Sequence, residues 1–582
     1  MDLKFTRGSR NFALAMILIG IMALFAMRLF YIQVIRHDYY VSQADTQQIK
    51  PFTLFAKRGE IYTYDNGSPE KFVMNETVYT AWVDPTQATD RQAIVDALNK
   101  IAGGNTRKNF AQYIDKKNTR HQVLATKVSR KQAELLKAEN IRGLGFDAVS
   151  QRVYPEGQLA SQVLGFVDNE GNGKYGFEQA NDDELKGKDG LLKTVTDVRA
   201  VPLTIGAKNI NKPAQDGKNY VLSLDRYIQA RVEKSLADGI SRSGATSASA
   251  IVMDPQTGRV MAMANFPSYD PTLLATVTDP ALFNNDVVSR PYEPGSDIKT
   301  FTVATGIDKG VITPETTYNN TDSVRIEDIT ITNASKGKTG LRTMQYALDW
   351  SLNTGMVDIA KRLGNGDGIS RSARDTMYEY FHDRFRLGRV TDIELANEAE
   401  GTVVSPDKTE GNAVRYSNMA FGQGMDATMM QVAAGFSGVI NGGIYRTPTV
   451  IAGSIDDKGV YRDAQARESF PGIITPASSA TVREMVHQSH YATYKPQNEP
   501  AGYYVGGKTG TSQTIENGKY VSDQTIGTYL GFGGEVNKIP RYVVMVEISA
   551  KGKMMGGGAD AKPIFNDISN WMIDYLKLQP QG

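Results

Sequence analysis

The 582-residue sequence contains no cysteine. That excludes disulfides, thiolate nucleophiles and cysteine-ligated metals. Histidine is scarce, with five residues in the whole chain; these are too few and too scattered for a metal cluster, so no metal or other cofactor is expected. An excess of charge of either sign is missing as well. The 65 Lys and Arg against 64 Asp and Glu leave a net charge of +1, which provides no global attraction for nucleic acid. Long disorder is not expected, because 41% apolar and 22% charged residues are globular values. The length implies roughly two to four domains rather than one core.

Long hydrophobic runs are also rare, with one exception near the amino terminus. Lys4, Arg7 and Arg10 precede an unbroken stretch of apolar residues and glycine from Phe12 to Met27; Arg28 interrupts it, and Leu29 to Ile32 resume it before Arg36 and His37. Residues 12–35 are long enough to span a bilayer. Arg28 can snorkel to an interface or face a partner helix within the membrane. The basic flank predicts a cytoplasmic tail over residues 1–11, a single-pass anchor over 12–35 and an exported body. No small-x-small cleavage site followed by a clean break is present, so the anchor is expected to be retained.

Residues 36 to about 55 are polar and read as a helix or stalk. From Ala56 the chain becomes rich in strand formers, with Asp65-Asn66-Gly67 as a turn between two short strands and a further strand over Val73–Val83. Residues 92–142 read as helices. Turns and short strands follow around Arg152-Val153-Tyr154-Pro155, Gly165–Gly176 and Gly187–Gly190, and Arg58 and Glu178 are candidates to pair across the base of this region. Residues 36–240 are thus predicted to be a mixed, extended, structural module. Asn219–Leu224 reads as a strand, with Asp225 capping a helix to about Ile240. A second domain, residues 245–578, opens on a hairpin of Ala248–Met253 and Arg259–Asn265 around Asp254-Pro255-Gln256-Thr257-Gly258. It is expected to be α+β, with strands packed against helices. Near its end come a turn at Asn517-Gly518, strands over 525–533 and 541–549, and a helix over 561–577 that puts Phe565, Ile568, Trp571 and Met572 in the core. His487 and His490 sit i,i+3 on a predicted helix and are read as lying on its solvated face.

Three segments carry candidate chemistry. Ser296-Asp297-Ile298-Lys299 follows Glu293-Pro294-Gly295. If a helix begins there, the Ser296 hydroxyl and Lys299 amine share a face, and the amine can take the hydroxyl proton. On its own the pattern favours a surface helix start. Ser351-Leu352-Asn353 offers two polar side chains at alternate positions, or a helix cap. Gly507-Lys508-Thr509-Gly510-Thr511 combines a cation, hydroxyls and glycines that let a ligand approach the backbone, or is a glycine-rich edge strand. It is a poor phosphate loop, because Tyr503 stands where that motif needs glycine.

The ordered set, Ser-x-x-Lys, then Ser-x-Asn 55 residues on, then Lys-Thr-Gly 157 residues beyond that, resembles the signature of the active-site serine penicillin-interacting enzymes. The resemblance covers nearly the whole chain. Arg58-Gly59-x-Ile61, Arg152-x-Tyr154-Pro155 and Gly173-x-x-Gly176-x-Glu178 are similar to pedestal motifs of class B penicillin-binding proteins. Asp254-Pro255-x-Thr257-Gly258, Pro267-Ser268-Tyr269-Asp270-Pro271, Phe421-Gly422-Gln423-Gly424 and Asn441-Gly442-Gly443 are similar to segments of their transpeptidase domain. The chain resembles the monofunctional peptidoglycan D,D-transpeptidases of septal or elongation type. The resemblance implies a serine β-lactamase-like domain, an antiparallel sheet flanked by helices, above a pedestal or dimerisation-like domain. It also implies the roles. Ser296 is the nucleophile, Lys299 its base and Ser351 the relay to the leaving amine. Asn353 orders Lys299, while Lys508, Thr509, Gly510 and Thr511 form the carboxylate subsite. The oxyanion hole comes from the backbone N–H groups of Ser296 and Thr511. Substrates would be peptidoglycan pentapeptide stems, with β-lactams as covalent inhibitors. Partners would be a polytopic membrane glycosyltransferase and other divisome or elongasome proteins.

The chain departs from the family pattern at 388–398. Such relatives often carry a Thr-Gly-Ile-Asp-Leu-Pro-Gly-Glu-like loop; here the segment reads Thr391-Asp392-Ile393-Glu394-Leu395-Ala396-Asn397-Glu398, without its glycines. The motifs leave open a D,D-carboxypeptidase on the same scaffold, a β-lactam sensor and a silent division scaffold. No deacylating glutamate of the class A β-lactamase kind is identifiable.

Overall fold

A computed structural model describes residues 10–40, 43, 49–195, 210–493, 499–516 and 519–581. The predicted turn at Asn517-Gly518 and Lys4 and Arg7 of the tail lie outside these residues. The chain divides into two compact units, Met1–Arg58 with Gly187–Gly217, and Gly59–Lys186 with Lys218–Gly582.

The first unit holds the apolar segment. Arg10–Phe30 is an α-helix continued by a π-helical turn at Tyr31–Ile35. Among the described residues this is the one helix long and apolar enough to cross a membrane. Arg28, near its end, lies 5.6 Å from the Tyr31 ring centre, a cation–aromatic pairing suited to an interface. The unit also contains a three-stranded antiparallel sheet in which Gly190–Val195 lies between Ile49–Leu54 and Ile210–Lys212. The strand at 49–54 lies at the end of the stretch read as a stalk.

In the second unit, Asn66 and Gly67 both take positive φ (49° and 84°) between the antiparallel strands Ile61–Asp65 and Ser68–Val83, the hairpin geometry that Asn-Gly favours. The long strand then pairs with Gln122–Val128 and Leu144–Val153. Its inward residues Ala81 and Val83 pack on Ile94, Leu98, Leu124 and Leu136 in a separate small core. The helical reading of 92–142 holds for Arg91–Ala102 and Arg130–Ala138 but fails at Gln122–Val128, which is a strand. Seven residues with three β-branched members among Gln, Leu, Ala and Lys have no decisive local preference, and the open edge of Ser68–Val83 decides their state. Asn219–Asp225 joins the two parts of the unit: it pairs parallel with Ile61–Asp65 on one side and antiparallel with Ile451–Ile455 on the other. The Asp225 carboxylate then accepts from Tyr227 and Ile228 N–H and starts the helix Arg226–Ser243, which ends at Gly244 in left-handed conformation.

The larger part is built on a five-stranded antiparallel sheet. In spatial order its strands are Val260–Phe266, Ser247–Met253, Tyr542–Ser549, Lys519–Glu535 and Tyr503–Glu516. One face carries Arg226–Ser243 and Lys562–Tyr575, with Phe565, Ile568 and Met572 fully buried as expected, and Trp571 stacked on Tyr575. The other side carries a helical layer around Lys299–Asp308, whose residues Lys299 to Gly306 are all buried. A helix buried all round must be enclosed by others; Asn353–Arg362, Met429–Ile440 and Pro476–Ala492 do this. His490 on the last of these is not solvated. It is 1% exposed and bonded through Nδ1 to the Tyr529 hydroxyl and through Nε2 to Glu499 at 2.8 Å. An i,i+3 spacing marks a common face but cannot say what covers it.

The 391–398 segment keeps its turns without glycine. Asp392 and Asn397 take φ of 57° and 63°, and these are among the residues that best tolerate the left-handed region. Glu398 closes the loop by accepting from Thr391 N and Oγ1, both at 2.6 Å.

Candidate active site

Ser296 lies in a single 3-10 turn, Gly295–Ile298, that runs directly into the buried helix Lys299–Asp308. Gly295 makes that junction possible. Its φ is 60°, its N–H donates to Gly422 O at 3.0 Å, and a Cβ on Gly422 would lie 1.9 Å from Gly295 O. Two backbones pass each other there with no room for a side chain. A Cβ on Gly295 would in turn meet Thr511 O at 2.8 Å, so the start of the helix abuts the edge strand. Ser296 is half-buried at this junction.

Lys299 is 1% exposed. Its amine donates to Asn353 Oδ1 at 2.7 Å, to Ser351 O at 2.6 Å and to Ser351 Oγ at 3.0 Å. Among the described residues it bonds these groups and not Ser296, which stands one turn earlier on the same face. Ser351 can present both carbonyl and hydroxyl to the amine because it turns left-handed, with φ of 54°, a conformation that a non-glycine residue adopts only when its surroundings hold it there. It lies between the helices Met344–Asp349 and Asn353–Arg362. Asn353 is held in turn by donating to Thr332 O at 2.8 Å.

Lys508 comes from the edge strand Tyr503–Glu516 and is 2% exposed. Its amine donates to the same Ser351 Oγ at 3.0 Å, to Thr509 O at 3.0 Å and to Thr509 Oγ1 at 3.4 Å. One hydroxyl therefore links two lysine amines. Thr511 accepts from Gly557 N–H at 3.4 Å, and Gly510 pairs with Thr528 in the sheet register. Five of the predicted residues, Lys299, Ser351, Asn353, Lys508 and Thr509, thus form one hydrogen-bonded chain, and Ser296, Gly510 and Thr511 border it.

The electrostatics follow from burial. The Lys299 amine is pushed well below its ordinary value by desolvation, and further by the charge of Lys508. Lys508 is lowered to about 8 by burial, against the opposing pull of Asp297 and Asp349. Two ammonium groups touching one oxygen repel, so the arrangement favours one neutral and one charged amine. A neutral amine on the serine's helix, a relay hydroxyl and a cation at the strand edge can activate a hydroxyl nucleophile, carry its proton and bind an anion.

The motif reading missed Asp297. Its carboxyl is wholly buried beneath the site and pushed up to about 7 by that burial. The only sequence signal was an acid directly after the serine, in a segment destined for the interior. It also missed Tyr520, whose hydroxyl donates to Glu293 at 3.0 Å; Glu293 also accepts from Gly424 N–H at 2.7 Å.

Comparison with known proteins agrees with this geometry. The Penicillin binding protein transpeptidase domain family matches residues 248–570, and the Penicillin-binding Protein dimerisation domain family matches residues 53–222. The chain is similar to Stage V sporulation protein D of Bacillus subtilis (28% identical, over 95% of this chain and 84% of that protein). It is also similar to the peptidoglycan D,D-transpeptidase FtsI of Escherichia coli (26%, over 95% and 90%). The crystal structure of Penicillin Binding Protein 2X from Streptococcus thermophilus shares the fold, with a TM-score of 0.73 at 22% identity over 91% of this chain and 80% of that one. With a dimerisation domain followed by a transpeptidase domain that alone spans more than half of its length, the chain belongs to the penicillin-binding proteins of class B type.

Proposed function

We propose that the chain is a membrane-anchored peptidoglycan D,D-transpeptidase that works through an acyl-enzyme on Ser296. The observation that carries this reading is the single hydroxyl of Ser351 bonded at 3.0 Å to both Lys299 and Lys508. The Ser296 oxygen attacks the carbonyl carbon of the penultimate D-Ala of a pentapeptide stem while neutral Lys299 receives the hydroxyl proton. The carbon–nitrogen bond to the terminal D-Ala breaks, and that residue leaves as the amine after Ser351 relays a proton to it. The amine of a neighbouring stem then attacks the ester, forming the crosslinking amide and restoring the serine. Lys508, Thr509 and Thr511 bind the terminal carboxylate across Gly510. Asn353 orders Lys299 and meets the substrate amide. The N–H groups of Ser296 and Thr511 stabilise the oxyanion, an assignment supported by the close approach of Gly295 to the Thr511 backbone. The strand Tyr503–Glu516 stands at the edge of its sheet, the position to which an extended peptide can add.

β-Lactams enter the same scheme as acylating inhibitors. The apolar helix Arg10–Ile35 supports a single-pass anchor with an extracytoplasmic catalytic domain. Septal or elongation duty, beside a polytopic membrane glycosyltransferase, is part of the same proposal and is supported by the similarity to the peptidoglycan D,D-transpeptidase FtsI. The test is covalent labelling with a fluorescent penicillin. Wild-type protein is expected to be labelled and Ser296→Ala not at all; equal labelling of the two removes Ser296 from the mechanism. Lipid-linked precursor supplied with a glycosyltransferase is expected to yield crosslinked stems. Products with only shortened stems would mean that water, not an amine, is the acceptor.

A further inference from the structure

Asp297 is an unusual residue in its surroundings. It follows the serine, is 0% exposed, and neither of its carboxyl oxygens completes a hydrogen bond. The Thr528 hydroxyl beside it is also buried without a completed bond, although its dipole favours the carboxylate form. Both groups press against Gly510. A Cβ there would lie 2.1 Å from Thr528 Oγ1 and 2.9 Å from Asp297 Oδ2, so glycine at this position of the strand makes space for a carboxyl group. Nothing in the mechanism above uses that carboxyl, and a buried acid that packs against the strand of Lys508 without structural bonds has no stabilising role that would offset its burial.

We propose that Asp297 is a positioning residue, a buried counter-charge beneath the edge strand that keeps Lys508 an ammonium, and through it keeps Lys299 a free base. The inference rests on the reading of Ser296, Lys299 and Lys508 given above. Among the described residues Lys508 forms no ion pair with a carboxylate; its bonds go to Ser351 and Thr509. A buried amine so placed keeps its proton only if an anion lies nearby, and Asp297 is the leading source of that attraction, ahead of Asp349. The charge of Lys508 in turn holds the Lys299 amine down. The other ionisable groups facing this set are Tyr292 from the preceding segment, Tyr529 from the neighbouring strand and Lys562 from the terminal helix. Burial raises both phenols well above their ordinary range, so they stay neutral. Lys562 repels Lys508, which makes the anion more necessary.

The test is the acylation rate with a fluorescent penicillin, measured from about pH 5 to about pH 10 on the full chain in detergent. The alkaline limb reports Lys508 losing its proton, and the acid limb combines Lys299 losing its proton with Asp297, at about 7, losing its own. Asp297→Asn keeps the shape and removes the charge. The alkaline limb is expected to move about one pH unit toward acid, costing about tenfold in rate above the wild-type limb, with the acid limb moving less. A folded variant whose rate falls equally at every pH, even to zero, overturns the proposal and leaves Asp297 a packing residue. If Asp297→Asn is recovered unfolded, Thr528→Val carries the same test. Loss of the hydroxyl weakens the carboxylate, so the same limb should shift in the same direction by a smaller amount; an unmoved limb again overturns the proposal. Wild-type protein that is not acylated at any pH would break the reading of the site itself, whereas a normal wild-type profile left in place by both variants breaks only this inference.

Discussion

Two groups of buried charges in the same compact unit are treated in opposite ways. In the pedestal, Arg152 and Glu178 are both buried, and Arg152 Nε donates to Glu178 Oε1 at 2.7 Å while Arg152 Nη1 donates to Gly59 O at 2.7 Å and to Asn75 Oδ1 at 3.0 Å. Cation and anion are in direct contact. In the cleft, Lys299 and Lys508 are just as buried but bond only hydroxyl, amide and carbonyl oxygens. Asp297, the acid that acts most strongly on Lys508, completes no hydrogen bond through its carboxyl oxygens. Direct pairing makes a buried charge structural, and withholding it leaves a proton that can move. The pedestal pair joins the strand Leu144–Val153 to the helix Gly176–Ala180, and Arg152 also reaches Gly59 in the loop before Ile61, whereas the lysine set spans three segments.

Four experiments bear on that contrast. Replacing Lys299 by Met should reduce penicillin acylation by about 10²–10⁴-fold, the range for losing a positioned base, while the protein melts no lower than wild type. A large drop in melting temperature would make Lys299 a structural cation like Arg152. Glu178→Ala should do the reverse. It strands the buried Arg152 at a cost of about 3–5 kcal/mol in stability, read by urea unfolding, with acylation of the remaining folded protein unchanged. Loss of acylation in that folded fraction would show that the pedestal pair communicates with the cleft.

The third experiment uses pH. Lys508 binds its proton less tightly folded, at about 8, than at the ordinary lysine value of 10.5. Between these values the unfolded chain holds the proton and the folded chain does not. Stability should therefore rise with pH across that window and be lost as the pH falls back through about 8; Lys299 acts in the same direction. Lys508→Met should flatten the rise in unfolding free energy measured across the window. An unchanged slope would mean that Lys508 is not the buried amine responsible. The smallest effect is expected for Asn353→Ala. It removes one acceptor from Lys299 and should cost about 1 kcal/mol of stability, with about tenfold slower acylation, checked by the same two assays.

Much of the site could be read from the residues because its chemistry restricts side-chain type. Ser296, Lys299, Ser351, Asn353 and Lys508 stand at helix starts and on a glycine-rich strand, and the structure puts four of them within one hydrogen-bonded chain. The β-rich hairpins at 61–83 and 247–266 were equally legible, since Asn-Gly and Asp-Pro-x-Thr-Gly turns act locally. Gln122–Val128 was misread because an open strand edge, not its own sequence, made it a strand. His490 was placed in solvent because helical spacing does not reveal what lies across from it; Tyr529 and Glu499 do. At 391–398 the absent glycines hid a conformation that Asp392 and Asn397 adopt.

The sequence by itself determined which side chains were on offer for the proposed chemistry and where many of the elements begin, through the caps, turns and periodicities that operate within a few residues. Only the tertiary structure decided their proton states. It buried Lys299 and Lys508 against one Ser351 hydroxyl and set the Asp297 carboxyl against the strand without a completed hydrogen bond. Desolvation and charge proximity depend on what surrounds a group in space, and the residues that surround these come from segments dozens to hundreds of positions apart.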